Sequence, residues 1–481
     1  MDEVIGWIGV VLGAVGLGSA VYGGVVWARV RGSGRWSVAS RAFGAWGGGG
    51  EGGVSVAASG AGRGRLVLVA PAHNEADRIG PLVRSLGAAE WAGEALFVLS
   101  LDRCTDGTAG VVREIVAGFE ARVRSRFVIE EVGSCGEGWS GKVHAVHRGL
   151  LAAGERARSA DVLVFTDADV WMAPGLLRTA ARRLEEGGLD LLSLMPTLDQ
   201  RAWWEKTVQP VAGMELVRRF PLDRLNEEGH RSSGIGPRGG ERDAIDSAAG
   251  SSPDPSFASF AAPPHSSCSA SPASREGSGV RFANGQFMMF RGATYWAMGG
   301  GEGGHADERV RGAVLEDLAL ARRVRRPDID GRLGVLMAGE MLRCRMYEDW
   351  SGFRRGWKRI YTESAHGKAS ALRRWSWRVA GTGVVLPVCS ALSALVGSAG
   401  LAAWGPGAWS LWAVCAGAAG LLGWGASGWV VYGAQRADRR WLVAQPIGAW
   451  LVSRVLAEAA RDKRRGVGTR WGGMVYGGRD E

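Results

Sequence analysis

The sequence predicts an α/β protein: an open, mainly parallel sheet with flanking helices, and transmembrane helices at both ends. Two observations predict it. From Leu66 onward, short apolar runs alternate with helical periods, the pattern of βαβ units. Outside that region lie uncharged stretches long enough to cross a bilayer.

The first is Val4 to Trp27, preceded by Asp2 and Glu3 and followed by Arg29, Arg31 and Arg35. A cleaved signal peptide would instead carry basic residues before a shorter apolar run. The charge bias puts the N-terminus outside and the following region in the cytoplasm. Val379 to Trp404 and Ala408 to Tyr432 are the other two. Three crossings return the C-terminus to the cytoplasm, in keeping with Arg436, Arg439, Arg440, Arg461, Lys463, Arg464 and Arg465 in the tail. Trp441 to Ala460 is shorter and contains Pro446. It reads as an interfacial or re-entrant segment, with a fourth span as the alternative.

The expected organisation is a transmembrane helix over 1–30, a flexible Gly-rich linker over 31–64, a cytoplasmic domain over 65–378, two spans over 379–435, and an interfacial or re-entrant segment with a basic tail over 436–481. Residues 226–280 break the domain with a stretch rich in Ser, Pro and Gly. Its composition is that of a disordered insertion, or of retained non-coding sequence. The net charge of +10 is accounted for by cytoplasmic arginines beside anionic headgroups, so no nucleic-acid partner is implied. The six cysteines form no C-x-x-C pair, which leaves out the common thiol-metal and redox spacings.

Within the domain, LVLVA, ALFVLSL, RFVIEE, VLVFT and LDLLSLMP read as strands, with helices between them. Asp167 and Asp169 follow the VLVFT strand. Two carboxylates two positions apart at a strand's C-terminal edge suit a hard divalent cation, Mn2+ or Mg2+, bridging to the phosphates of a nucleotide-diphosphate donor. A solvated acidic turn is the alternative. Glu75, in the turn after LVLVA, either caps the next helix or touches a nucleotide. Asp102 ends the second strand, where a carboxylate can accept from a base N–H or ribose hydroxyl, and Asp106 belongs to a turn. Lys142 begins a helix, a place for phosphate. His144 and His147, three apart with no third ligand evident nearby, read as helix-face residues rather than a zinc site. Glu316 and Asp317 open another helix, where a carboxylate either takes a proton from an incoming hydroxyl or complements the helix dipole. CRMYEDWSGFRRGWKRIY reads as an interfacial belt whose arginines and Trp357 can also close over a diphosphate.

Taken in order, PAHNEADRI, the Asp102 loop, GWSGK, FTDAD, NGQFMMFRG, LEDLALARRV and RMYEDWSGFRRGWKR resemble glycosyltransferase family 2. More narrowly, they are similar to its membrane-bound branch containing hopene-associated and diaponeurosporenoate glycosyltransferases, an ending of QPIGAWLVSRVL and RWGGMVY included. The resemblance implies a GT-A type fold, a nucleotide-sugar donor (a UDP-sugar foremost), a divalent metal, and inversion at the anomeric carbon. It implies that Asp102 contacts the base, that Asp167 and Asp169 hold metal and diphosphate with Asp169 the direct ligand, that Asp317 is the catalytic base, and that Glu316 is its neighbour. Trp357 stands roughly where processive relatives carry Q-x-x-R-W. Two departures are Leu101 in place of a first acid, with Arg103-Cys104 following, and RRGWKR in place of Q-x-x-R-W. Anchoring on both sides suggests a lipid acceptor, such as a hopanoid, carotenoid or other polyisoprenoid, offering a hydroxyl or carboxyl. The alternatives are a processive polysaccharide synthase and an inactive nucleotide-sugar-binding membrane protein.

Overall fold

The computed structural model describes residues 2–33, 37, 62–231, 281–300, 304–313, 315–471 and 474–476. Helix α1 (Asp2–Ser33) precedes the alternating region. That region opens with β1 (Leu66–Ala72), α2 (Ile79–Gly87), β2 (Ala95–Asp102), α3 (Thr108–Ala117), the short α4 (Ala121–Arg124) and β3 (Phe127–Val132). Next come α5 (Gly141–Ala153), the short α6 (Glu155–Arg158), β4 (Val162–Thr166), β5 (Val170–Met172), α7 (Leu176–Glu186), β6 (Leu191–Met195) and β7 (Thr197–Leu198). After α8 (Trp203–Arg219) and α9 (Leu222–Arg231) follow β8 (Phe287–Arg291), α10 (Gly292–Gly299), α11 (Glu316–Val324), β9 (Leu333–Met337) and β10 (Leu342–Cys344). The C-terminal part holds α12 (Trp350–Ser364), α13 (Ala369–Ala380), α14 (Leu386–Trp404), α15 (Ala408–Ala434), α16 (Gln445–Arg464) and the hairpin β11 (Thr469–Trp471) and β12 (Met474–Tyr476).

The main sheet runs β3-β2-β1-β4-β8-β6-β9. It is mainly parallel: β8 alone among these strands runs against its neighbours β4 and β6. Every residue of β1 and β4 is buried, which explains why they read as unbroken apolar runs rather than alternating ones. α5 lies across β1 and β2, and Gly149 permits the approach, since a Cβ there would sit 2.5 Å from Val69 Cγ1. This contact fixes the helix whose first turn carries Lys142. A small second sheet, β5-β10-β7, crosses the chain just beyond Asp167 and Asp169.

α9 corrects the expected start of the insertion. Residues 226–231, expected within it, complete this helix, while 232–280 lie outside the described residues. The reason is Asn226, fully buried, which donates from Nδ2 to the Val335 carbonyl (2.9 Å) and accepts from the Val335 N–H at Oδ1 (2.8 Å). It thereby occupies the free side of the edge strand β9. The expected linker likewise falls largely outside the described residues.

A second apolar cluster, with Trp204, Phe353, Trp357, Tyr361, Leu372 and Val452 among its members, joins α8, α12, α13 and α16. α16 contains most of the expected interfacial segment. Pro446 stands in its first turn, where a missing N–H costs nothing, so it starts the helix rather than interrupting it. One face of α16 is buried, and Gly448 lets it approach α8 to the point where a Cβ would meet the Thr207 carbonyl oxygen at 2.1 Å. Val443, Ile447 and Trp450 at its N-terminal end are exposed.

Two helices among the described residues are long and apolar enough to cross a membrane: Ala369–Trp404, which is α13 continued through a π-helical turn at Gly381–Val385 into α14, and Ala408–Ala434, which is α15. At the other end, α1 contains the shorter apolar stretch Val10–Val26. It packs on α15 and α14 through small residues: a Cβ at Gly16 would meet the Ala416 carbonyl oxygen at 2.5 Å, and one at Gly423 would meet Ala20 Cα at 2.5 Å. Such close backbone approach is how helices associate where burial from water gives no drive. Ser19 Oγ donates to the Gly420 carbonyl (3.2 Å), and Arg218 of α8 donates to Tyr22 Oη (2.9 Å), which ties α1 to the domain.

Candidate active site

The C-terminal ends of β1, β2 and β4 open into a cavity of about 590 Å3. Glu75, Asp102, Lys142, Asp167, Asp169, Glu316, Asp317 and Trp357, the candidate residues named from the sequence, all line it.

The β1 end is braced by turn residues. Asp106 accepts from the N–H groups of Ala76 (3.0 Å) and Thr108 (3.1 Å), so it joins the β1 turn to the start of α3 and acts structurally. The Glu75 side chain does not cap α2, which has no side-chain cap. It pairs with Arg78 at 2.7 Å instead. Burial, outweighing Arg78, pushes the Glu75 carboxyl up to about 7.

Asp102 is almost fully buried at the end of β2. Arg103 grips it as a fork, Nε to Oδ1 at 2.9 Å and Nη2 to Oδ2 at 2.7 Å. This bidentate geometry puts a cation against the carboxylate that the resemblance assigns to base contact.

Lys142 does not stand open as a lone phosphate-binding cation. Its Nζ lies 2.6 Å from Asp167 Oδ1 and also contacts Glu316 Oε1. Burial alone would depress the ammonium, but Asp167, Glu316 and Asp317 hold it above the ordinary lysine range. The lysine thus joins the β4 turn to the start of α11.

Asp169 has the opposite character. Its Oδ1 is buried without a hydrogen-bond partner. Burial, with Asp167 and Glu75 adding like charge, pushes its carboxyl up to about 7. Orphaned buried oxygens are rare in native proteins and need an explanation. A cation would supply one, and the all-oxygen donor set of Asp167 and Asp169 is of the kind that Mn2+ or Mg2+ takes.

Asp317 accepts one backbone N–H at each oxygen, from Gly285 at Oδ2 (2.9 Å) and from Leu318 at Oδ1 (2.7 Å). Burial, reinforced by Glu316 and opposed by Lys142, raises its carboxyl to about 7. Glu316 and Asp317 do occupy the first turn of α11, so the dipole role expected as an alternative coexists with a place in the site. Trp357 is chiefly a core residue, its ring packed between Phe353 (5.7 Å) and Tyr361 (5.2 Å). Its Nε1 is buried with no partner, and Arg355 and Arg359 of the same helix also line the cavity.

Sequence reasoning missed several participants. Arg78, Gln209 and Gln435 line the cavity, and Gln435 reaches α8 by donating to the Pro210 carbonyl at 2.8 Å, a contact with no local sequence signal. Gly285 carried one, since it lies in NGQFMMF, but its function is geometric. A Cβ there would fall 3.1 Å from both Glu316 Oε1 and Lys142 Nζ and 3.3 Å from Asp317 Oδ2. Gly285→Ala is therefore expected to lower turnover about tenfold through misplacement of Asp317, with the melting temperature nearly unchanged; steady-state kinetics beside a thermal melt checks both. His144 and His147 pack around Trp139 (ring centroids 5.6 and 4.8 Å), but His147 also meets His305 and Asp307, so the expectation that no further ligand lies near is corrected.

The family model described as glycosyltransferase-like family 2 matches residues 64–338, from just before β1 to just after β9. The chain belongs to glycosyltransferase-like family 2. Its fold is the GT-A-like, mostly parallel α/β arrangement, and the family match stops before α12 to α16. Among solved structures, this glycosyltransferase-like chain is similar to the mannosyltransferase PcManGT from Pyrobaculum calidifontis in complex with GDP-Man and Mn2+ (14% identity, 96% of this chain and 99% of that chain covered, TM-score 0.41). It is also similar to Staphylococcus aureus TarS 1–349 in complex with UDP-GlcNAc (11% identity, 85% and 95% covered, TM-score 0.32). A third is glucosyl-3-phosphoglycerate synthase from Mycobacterium tuberculosis with Mn2+, UDP and glucosyl-3-phosphoglycerate (15% identity, 63% and 80% covered, TM-score 0.32). No curated protein matches the sequence.

Proposed function

We propose that this family 2 chain is a membrane-bound, inverting glycosyltransferase that moves a sugar from a nucleotide-diphosphate donor, foremost a UDP-sugar, to a hydroxyl or carboxyl group of a lipid. One observation carries the reading: Asp169, with its unpartnered buried oxygen, and Asp317, held by two backbone N–H groups, line the same cavity, and so do the apolar Leu216, Val217, Phe282 and Ile360 and, just past the end of α15, Gln435.

Asp169 with Asp167 would hold Mn2+ or Mg2+, which supplies neutralisation of the charge that grows on the departing diphosphate. Asp102 would contact the base, and Arg355, Arg359 and Trp357 Nε1, in the same cavity wall, would offer donors to the diphosphate. Asp317 takes the acceptor's proton as the new bond to the anomeric carbon forms. The Gly285 and Leu318 N–H groups fix the direction of its carboxylate, and Lys142 neutralises Glu316 beside it. A single displacement of this kind inverts the anomeric carbon. The lipid enters along Leu216, Val217, Phe282 and Ile360, apolar members of the cavity wall. A lipid such as a hopanoid, carotenoid or other polyisoprenoid fits that wall, held at the membrane by α1, α14 and α15 with the catalytic domain in the cytoplasm.

The test incubates the detergent-purified full chain with radiolabelled UDP- or GDP-sugars, Mn2+ and polyisoprenoid alcohols or acids. Label is expected in the organic phase. Label confined to water-soluble polymer would overturn the lipid acceptor.

The raised carboxyls also set opposed pH trends. As base, Asp317 must be ionised, so turnover is expected to rise about tenfold per pH unit below about 7 and to level off above it. For stability the sign reverses. Asp169 and Asp317 start from 3.8 and Glu75 from 4.5, and all are raised to about 7 in the fold. Between those limits the folded chain binds more protons than the unfolded one, so metal-free stability is greatest at the acid end and is lost as pH rises through 7. A pH series of melts in chelator, set beside a pH series of rates, checks both signs.

A further inference from the structure

Away from the cleft, His147 of α5 meets His305 and Asp307, which lie in the segment leading to α11. Their potential ligand atoms all fall within 4.8 Å of one another. Asp307 is 2% exposed and His305 5%. Asp307 Oδ2 lies 2.7 Å from His147 Nδ1, and Oδ1 accepts from Tyr295 Oη. His305 Nδ1 lies 3.7 Å from Asp307 Oδ1 and has no hydrogen-bond partner, although it is buried. Trp139 and Trp296 pack on the two imidazoles, with ring centroids 4.8 and 5.0 Å away.

We propose that His147, His305 and Asp307 form a structural Zn2+ site, separate from the oxygen-lined donor site. Two imidazoles and one carboxylate are a donor set for zinc rather than for Mg2+, which prefers oxygen alone. A bound cation gives the orphaned His305 nitrogen its partner, and the Tyr295 hydroxyl orients the ligating carboxylate, as outer partners do at metal sites. Water would complete four-fold coordination. The ion would join α5, which carries Lys142 in its first turn, to the segment that leads to Glu316 and Asp317, and so hold the catalytic base in place without touching substrate.

The experiment uses tag-free full chain in detergent, stripped with chelator, then titrated with Zn2+ or Mg2+ by calorimetry and with Co2+ by visible absorption. One zinc per chain is expected, with a tetrahedral Co2+ spectrum and no heat from Mg2+ at this site. Asp169→Asn, which disables the donor site, is expected to keep the zinc. His305→Gln should lose it; because the change also removes a ring packed on Trp296, its melt in chelator is measured beside that of the parent to show that the fold is kept. Tyr295→Phe should bind about 10–100-fold more weakly. Stripped chain that takes up no zinc, or a His305→Gln variant that binds it as tightly as the parent, would overturn the site. Neither result bears on the donor cleft.

Discussion

Asp317→Asn is expected to lower turnover by about 10²–10⁴-fold, the contribution of a positioned general base, with nucleotide affinity unchanged. The amide keeps the shape but has a single acceptor oxygen, so it accepts from only one of the Gly285 and Leu318 N–H groups and turns its NH2 toward the other; loss of the proton acceptor is accompanied by loss of one aiming bond. It also removes the rising limb of the pH–rate profile near 7. Pre-steady-state and steady-state rates with the lipid acceptor, measured beside nucleotide titration, separate chemistry from binding. Turnover within tenfold of the parent would remove Asp317 from the role of base.

Asp169→Asn has two expected effects of opposite sign. Metal-dependent nucleotide binding should be lost, because the buried Oδ1 without a partner belongs to this side chain. In chelator above pH 7 the variant should melt higher than the parent, because burial and the neighbouring Asp167 and Glu75 make the ionised carboxylate costly there. The gain should vanish below the ordinary aspartate range, where both states are protonated. A variant that is less stable in chelator, or that retains Mn2+-dependent binding, would contradict the assignment.

Much of this site was legible because parallel strands buried on both faces are written as continuous apolar runs. LVLVA, ALFVLSL and VLVFT therefore marked their own C-terminal ends, and Asp102, Asp167 and Asp169 followed directly. Strand direction leaves no trace in such a run. FMMFR in β8 pairs antiparallel between β4 and β6, and nothing in its composition says so. The β5-β10-β7 sheet is built from strands of two or three residues, too short for any periodicity to register.

Partnerships made by tertiary folding were the least legible. Lys142 reads as a phosphate ligand from its place at a helix start, yet the fold brings Asp167 and Glu316 to it from distant segments. His147 finds Asp307 across 160 residues, which is why a search for nearby ligands failed. Asn226 lies in a polar stretch that composition alone groups with the Ser-rich segment after it, and only the exposed edge of β9 gives it a role. Pro446 suggested interruption within Trp441 to Ala460, whereas the helix begins at Gln445 and uses it in the first turn.

The most direct measurement is calorimetric titration of the detergent-purified chain with UDP and with GDP, each with and without Mn2+. The account predicts that one nucleotide binds, and that it binds only with the metal present. Binding of neither nucleotide, or binding indifferent to Mn2+, would contradict it.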